Sequence, residues 1–427
     1  MHCAARKELE QVVLPFWLER GVDPVYGGFH TCFDNRGRTL VSTDKYTWSQ
    51  GRFVWLLARA AQLSARGLLD IDPATLVSVA EHGAQFLAAH AIRADGTCHF
   101  VIADDGTPSA GPAGETRSVY ADCFVVMGLA ELAATTGEQR WLDLAVPVLD
   151  RAEHDIDSGT APTPPYAVPD GFAAYGPRMI LLNTLLVHAE ALDRLGRLTD
   201  RDRDRLSTAY DRLLDHRLLD GTFQEMRPSD PAMDGTLLAR HRVPGHAIEG
   251  LWVALHTAEL LGRSTEIPTL LASVSPLCTS AWDDDQGGLF RYVDRSSAFR
   301  PGGSATGAPY EDLVRRTWDT KLWWVHTEAA YTTALAAQRY GSADAGAWRD
   351  RIWEYTLATF PGRDDGAEWI QIRDRAGKPL DEVVALPVKD PFHIARNLMQ
   401  LVELAADTSR TYGRYRPYES ATDVADE

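Results

Sequence analysis

Apolar residues recur at three- and four-residue spacing along most of this chain, and the pattern breaks at short connections rich in glycine and aspartate. That spacing puts one apolar face on a helix. About twelve helices are expected, near 3–20, 43–66, 72–91, 118–136, 138–157, 176–197, 201–217, 243–262, 264–279, 318–340, 344–360 and 390–406.

The connections carry a second pattern: an acidic residue, glycine, an aromatic or apolar stretch, then a second acidic turn. It occurs at Asp23…Gly27-Gly28-Phe29…Asp34…Gly37, at Asp95-Gly96…Phe100…Asp104-Asp105-Gly106 and at Asp220-Gly221-Thr222-Phe223. It returns at Asp285…Gly287-Gly288-Leu289-Phe290…Asp294 and at Asp365-Gly366…Trp369…Asp374…Gly377. These read as small β-hairpins joining helices. They follow the first, third, seventh, ninth and eleventh helices, so the decorated loops fall on one side of a repeat of helix pairs. Six such pairs can close into a ring. The expected fold is therefore all-α: an (α/α)6 barrel with short hairpins at one end, above a pocket. No linker divides the chain, so one domain is expected over 1–427, with 408–427 as a flexible tail. Ser158 to Pro165 is expected as the loop of the pair lacking a hairpin, and Arg300 to Pro309 as a long, mobile loop near the pocket.

Composition narrows the function without naming it. The 427 residues carry a net charge of −17, which argues against non-specific binding to nucleic acid or anionic membranes. The five cysteines are widely spaced with no CxxC pair, which points away from a disulfide framework or zinc site and toward a reducing cytoplasm. The first residues are polar, and runs such as Phe53-Val54-Trp55-Leu56-Leu57 stop far short of a membrane span, so no export or anchoring signal is expected. Motifs for nucleotide loops, zinc proteases and serine hydrolases are absent.

The chemistry that remains sits at helix starts. Val243-Pro244-Gly245-His246-Ala247-Ile248-Glu249 places His246 in a first turn with Glu249 on the same face, and Asp390-Pro391-Phe392-His393-Ile394-Ala395-Arg396 repeats the form. A first-turn histidine is often only a cap. Two of them at equivalent entrances suggest an acid/base pair. The helices entering from the hairpin side also hold Tyr46, Trp48 and Arg52, then Tyr120, then Asn183 with Glu190, then Trp324 with Glu328. Aromatics beside carboxylates suit carbohydrate, since ring faces meet C–H groups while carboxylates accept hydroxyl hydrogen bonds.

Together, Gln50-Gly51-Arg52, Gly245-His246-Ala247-Ile248-Glu249, Lys321-Leu322-Trp323-Trp324-Val325-His326-Thr327-Glu328-Ala329, Glu368-Trp369 and Phe392-His393-Ile394-Ala395-Arg396 resemble the N-acylglucosamine 2-epimerase superfamily, which also contains cellobiose 2-epimerases and mannose isomerases. The resemblance implies an (α/α)6 barrel with His246 and His393 as catalytic histidines. It also implies Arg52, Tyr120, Asn183, Glu249, Trp324 and Trp369 as sugar-contacting positions. Tyr46, in the stretch that leads to Arg52, and Glu328 and Arg396, on the quoted motifs, complete the candidate substrate-binding set. Where the cellobiose epimerases follow the matching asparagine with two histidines, this chain has Leu185 and Val187, which favours a monosaccharide.

The expected reaction is removal and return of the C2 proton of an open-chain aldose by His246 and His393, with Glu249 orienting His246 or a substrate hydroxyl and Arg52 stabilising the enediolate. Return of the proton to C1 would give an aldose–ketose isomerase. Neither metal nor cofactor is expected, and the protein should be a monomer or homodimer whose partner is a small-molecule sugar. The rivals are a glycoside hydrolase or lyase using Asp319 with Glu328, and a non-catalytic toroid.

Overall fold

The computed structural model describes residues 1–296, 299–363, 367–382 and 386–408. The Asp365-Gly366 turn lies outside them, as does the expected tail beyond Thr408.

Six helices form an inner ring: Thr47–Ala65, Val119–Thr136, Tyr175–Arg194, Pro244–Leu260, Trp323–Gln338 and Phe392–Thr408. Each packs on the next, and the last returns to the first, so the ring closes. The outer layer comprises the composite helix His2–Glu8, Leu9–Val13 and Leu14–Arg20, then Pro73–Phe86 continued by Leu87–Ala91, Gln139–Asp157, Asp200–Leu214, the broken pair Ile267–Leu271 and Val274–Ala281, and Ala343–Thr359. This is the (α/α)6 barrel expected.

The two layers differ in sequence for a physical reason. Outer helices have one wet face: in Gln139–Asp157 the buried positions are Trp141, Leu142, Ala145, Val148, Leu149, Ala152, Asp155 and Ile156, nearly all apolar and at helical spacing. Inner helices have neighbours on both sides and are apolar almost all round. Val119–Thr136 is long and apolar enough to cross a membrane, yet 78% of it is buried inside the barrel. Where it crosses Thr47–Ala65 only glycine fits: a Cβ on Gly51 would lie 2.4 Å from the Phe124 carbonyl oxygen, and one on Gly128 2.5 Å from that of Gly51.

The loops differ from the expected hairpins. The acid–glycine turns close as single bridges, Val22 to Phe29, Ile92 to Cys98, Arg217 to Phe223 and Trp282 to Leu289. The regular strands instead pair between successive loops, each joining the residues just before an inner helix to the next loop: Lys45–Tyr46 with Val101–Ile102, Phe172–Ala174 with Met226–Pro228, His241–Arg242 with Val293–Asp294, and Lys321–Leu322 with Ile372–Arg373. Among the described residues, one regular strand pair forms a true hairpin, Val101–Ile102 with Pro108–Ser109. These strands delay two helices, so the inner helix expected from 318 begins at Trp323. A further helix, Pro309–Thr317, occupies a stretch with no expected element.

A buried lysine anchors two of the loops in the same way. Lys45 Nζ lies 2.6 Å from Asp23 Oδ2, and Lys321 Nζ 3.1 Å from Asp283 Oδ2. Five residues after each lysine, a side chain accepts the backbone N–H beyond the twin left-handed glycines: Gln50 from Phe29 at 2.7 Å, His326 from Leu289 at 2.8 Å. Burial lowers Lys321 to about 8 against the pull of Asp283. An Asp283→Ala protein should lose about 3–5 kcal/mol of stability, because the lysine would remain buried without its carboxylate. Denaturant melts measure this; a loss below 1 kcal/mol would show that the loop relaxes to hydrate Lys321.

Candidate active site

The first turns of the inner helices converge on a cavity of about 280 Å3 at the loop end. Its walls include Trp48, Arg52, Tyr120, Phe124, His246, Glu249, Trp324, Asp390 and His393. Six of the eleven candidate residues thus meet in one place: His246, His393, Arg52, Glu249, Tyr120 and Trp324.

Each histidine is held through the same ring nitrogen. His246 Nδ1 lies 3.0 Å from Glu225 Oε1, and His393 Nδ1 lies 2.7 Å from Glu328 Oε1. A carboxylate on Nδ1 retains the proton there and leaves Nε2 as the basic nitrogen of the neutral ring. Both rings rest near Trp324, with centroids 5.5 Å and 5.4 Å away. Gly245 makes room for that indole, since a Cβ there would be 2.3 Å from it. Burial works against a charged His246, but Glu225 outweighs it and raises the pKa.

Arg52 projects into the cavity from Thr47–Ala65. Its Nη1 donates to Asp390 Oδ2 at 2.7 Å, and its guanidinium lies 4.1 Å from the Phe124 ring centroid and 5.0 Å from that of Phe392. Burial disfavours the Asp390 charge, yet Arg52 holds its pKa below the usual carboxylate value.

Beneath the histidines lies a buried layer. Arg396 Nη2 donates to Glu249 Oε1 at 2.5 Å and to Glu328 Oε1 at 2.6 Å; Glu328 also accepts from Asn397 Nδ2 and Trp252 Nε1, each at 2.7 Å. Burial raises the Glu328 pKa, but Arg396 and His393 drive it well below normal. Glu249, Glu328 and His393 offer donor atoms within 4.8 Å of one another, a spacing a cation could use. Arg396 already supplies the positive charge between the two carboxylates.

The geometry changes several assignments. Glu225, not Glu249, bonds His246. Glu328 and Arg396 are buried and absent from the walls of this cavity, and they orient His393 from below. Trp369 is fully buried with its Nε1 on Glu8, 3.0 Å away, and Tyr46 is buried against Phe100; neither lines the cavity. Asn183 lines a different cavity, farther along the lumen, as does Val187, while Leu185 lines neither. Asp319 is outside the cavity walls, so Asp319 and Glu328 do not form a pair flanking a glycosidic bond.

Two site residues have no counterpart among the candidates. Asp390 stood in a quoted motif without a role. Glu225 follows the Asp220-Gly221 turn and reaches His246 because Ala174 pairs with Met226, a register set by residues fifty positions earlier in the chain. The Ser158–Pro165 loop also reaches the site: Thr163, Pro164 and Pro165, with Tyr166, line the cavity, and the helix following Arg300–Pro309 adds Tyr310 and Leu313.

The sequence profile described as N-acylglucosamine 2-epimerase matches residues 27–396. The chain belongs to the N-acylglucosamine 2-epimerase family. It is 29% identical over 418 residues to the human N-acylglucosamine 2-epimerase, covering 93% of this chain and 88% of that protein, and 28% identical to the rat protein over 414 residues, covering 92% and 88%. A cellobiose 2-epimerase from Bacillus thermoamylovorans shares the fold with a TM-score of 0.74 at 17% identity, over 94% of this chain and 98% of that one. A D-mannose isomerase does so at 0.70 and 16%, over 94% and 97%. This family member is therefore a sugar 2-epimerase or isomerase.

Replacing Glu225 by glutamine removes the charge that raises His246, so its pKa should fall, and if that ring is a catalytic base the acid limb of the pH–rate profile should move to lower pH. Profiles of kcat/KM for the two proteins test this; an unmoved profile would detach Glu225 from His246 chemistry.

Proposed function

We propose that the protein interconverts the C2 epimers of a monosaccharide, of the N-acylglucosamine/N-acylmannosamine or glucose/mannose type, with one of His246 and His393 removing the C2 proton and the other supplying a proton to the opposite face, through an enolate that is an enediolate where C2 bears a hydroxyl. The observation that carries this reading is the matched pair: two histidines against one indole, each with Nδ1 on its own carboxylate and Nε2 left as a base.

An aldose C2 proton is too weakly acidic to leave unaided. A neutral imidazole accepts it while charge grows on the carbonyl oxygen, and a fixed cation nearby lowers the cost. Arg52 is the cavity cation suited to that task, held in place by Asp390 and the aromatic rings around it. The second histidine, which must start the cycle as imidazolium, gives its Nε2 proton to the other face of C2; the epimer forms and the two rings have exchanged protonation states. No step requires a metal. Five free cysteines, four of them buried, fit a reducing cytoplasm as the setting.

Support for a monosaccharide now rests on the cavity rather than on Leu185 and Val187. A volume of about 280 Å3 is at the small end for ligand pockets, which run from about 300 Å3 upward. Mannose, glucose, N-acetylglucosamine, N-acetylmannosamine and cellobiose should therefore be compared in D2O by NMR. At least one monosaccharide should gain deuterium at C2, form its epimer, and exceed cellobiose in catalytic efficiency. A ketose as the main product would reassign the reaction to aldose–ketose isomerisation. Absence of C2 exchange in all five would sink the proposal.

A further inference from the structure

The lumen has two halves. Each inner helix gives its first turns to the catalytic cavity and later turns to a second cavity of about 450 Å3 toward the other end. Pro244–Leu260, for example, gives His246 and Glu249 to the first, then Trp252 and His256 to the second. The Glu249–Arg396–Glu328 layer lies where one set of turns gives way to the other.

We propose that this second cavity binds a small neutral polyhydroxylated molecule, a hexose or hexitol, and that its occupancy is transmitted to His393.

The charge pattern selects the ligand class. Every arginine of this wall is matched to carboxylate: Arg59 to Glu403, Arg194 to Glu131, Arg339 to Glu259, and Arg396 to Glu249 and Glu328. Among the described residues of this wall no positive charge is left in excess to balance a phosphate or another anion; Arg396 keeps open N–H groups, but its charge is already met by two carboxylates. Among the described residues no guanidinium lies within ion-pair distance of Glu190, and its neighbour His256, with Nδ1 4.0 Å away, is kept neutral by burial, which lowers its pKa to about 3. Burial pushes Glu190 up to about 7 over the opposing pull of Arg59 and Arg194, which makes it a poor seat for a cation and a good partner for hydroxyls.

The unspent hydrogen-bonding groups agree. Arg396 Nε and Nη1, Asn183 Nδ2 and Trp55 Nε1 are buried donors without partners among the described residues, and Gln400 Oε1 is a buried acceptor in the same position. All four residues line this cavity. These atoms are turned away from the open space, so a ligand meets them only as the side chains rotate toward it; because buried polar atoms left unpaired are costly, a ligand offering both donors and acceptors favours that rotation. Trp252 and Tyr331 add aromatic surface for its C–H groups.

The link to catalysis is short. Trp252 Nε1 donates to one oxygen of Glu328, and Arg396 donates to the other, which is also the oxygen bonded to His393. A ligand against Trp252 and Arg396 therefore touches the groups that set the His393 tautomer.

The test uses the full chain with D-glucitol, which has no carbonyl and cannot be enolised, and compares wild type with a Glu190→Leu/Gln400→Leu double variant. Millimolar glucitol stays below the range in which polyols stabilise by exclusion. The expected results are a saturable rise in melting temperature in the wild type alone, and a change in kcat at saturating aldose of about fivefold, the lower end of ordinary linkage between sites. The kinetic arm rests on the proposed C2 chemistry; the melting arm does not. No saturable shift, or a shift undiminished in a folded double variant, would overturn the site. A rise in KM alone would place glucitol in the catalytic cavity and overturn it too. A proper shift with kcat unmoved would overturn the link to His393.

Discussion

His246→Ala and His393→Ala should each abolish epimerisation while leaving C2 exchange intact for only one of the two epimers, and the surviving epimer should differ between the variants. The reason is geometric. If each base serves one face of C2, removing it blocks deprotonation of the epimer that presents its proton to that face, but the other histidine still removes and returns protons on its own side. General acid–base groups contribute about 10²–10⁴-fold, so net interconversion should fall by at least that factor. The measurement is deuterium incorporation from D2O into each purified epimer, beside a thermal melt to show folding. Neither ring carries the fold: His246 is 31% exposed along its side chain, and His393, at 11%, stands at a helix start. Full epimerisation by either variant would remove that residue from the mechanism. Loss of exchange for both epimers in both variants would mean that the histidines act together on one face.

Arg52 should show the second largest effect, in kcat more than in KM. Its guanidinium meets a polar carbonyl in the bound aldose but a growing negative charge in the enediolate, so it stabilises the transition state more than the ground state. Removing one such donor costs on the order of 3 kcal/mol, or about 10²–10³-fold in rate. Arg52→Lys should recover little, because an ammonium lacks the planar fork that holds Asp390 while facing the cavity, and it fits poorly between Phe124 and Phe392. Asp390→Asn should lose less than Arg52→Ala, since the cation remains but is less firmly aimed. Steady-state kinetics on all three decide the matter. An Arg52→Ala enzyme with a raised KM and an unchanged kcat would show that the residue only binds sugar.

Much of this architecture was legible in the order of residues because it rests on local periodicity. Helical spacing of apolar residues, with acid–glycine turns after alternate helices, is a property of short stretches, and it implies stacked pairs whatever the details. The same holds for His246, His393, Arg52, Tyr120 and Trp324: each lies in or near the first turns of an inner helix, and the barrel brings those turns to one rim.

Tertiary structure decided what depends on register and depth. A helix face shows direction but not how far along the axis a cavity extends, so Asn183, two turns into its helix, falls in the second cavity rather than the first. Trp369 and Tyr46 have the residue types of sugar contacts, but packing turns them onto Glu8 and Phe100. Glu225 became the partner of His246 through strand pairing between distant loops, an alignment that no short stretch encodes. Glu328 and Arg396 matched the pattern of substrate contacts, yet burial made them an internal ion-paired layer. Charges so enclosed remain charged only where opposite groups meet them, and that is settled by the folded arrangement of all six helix pairs.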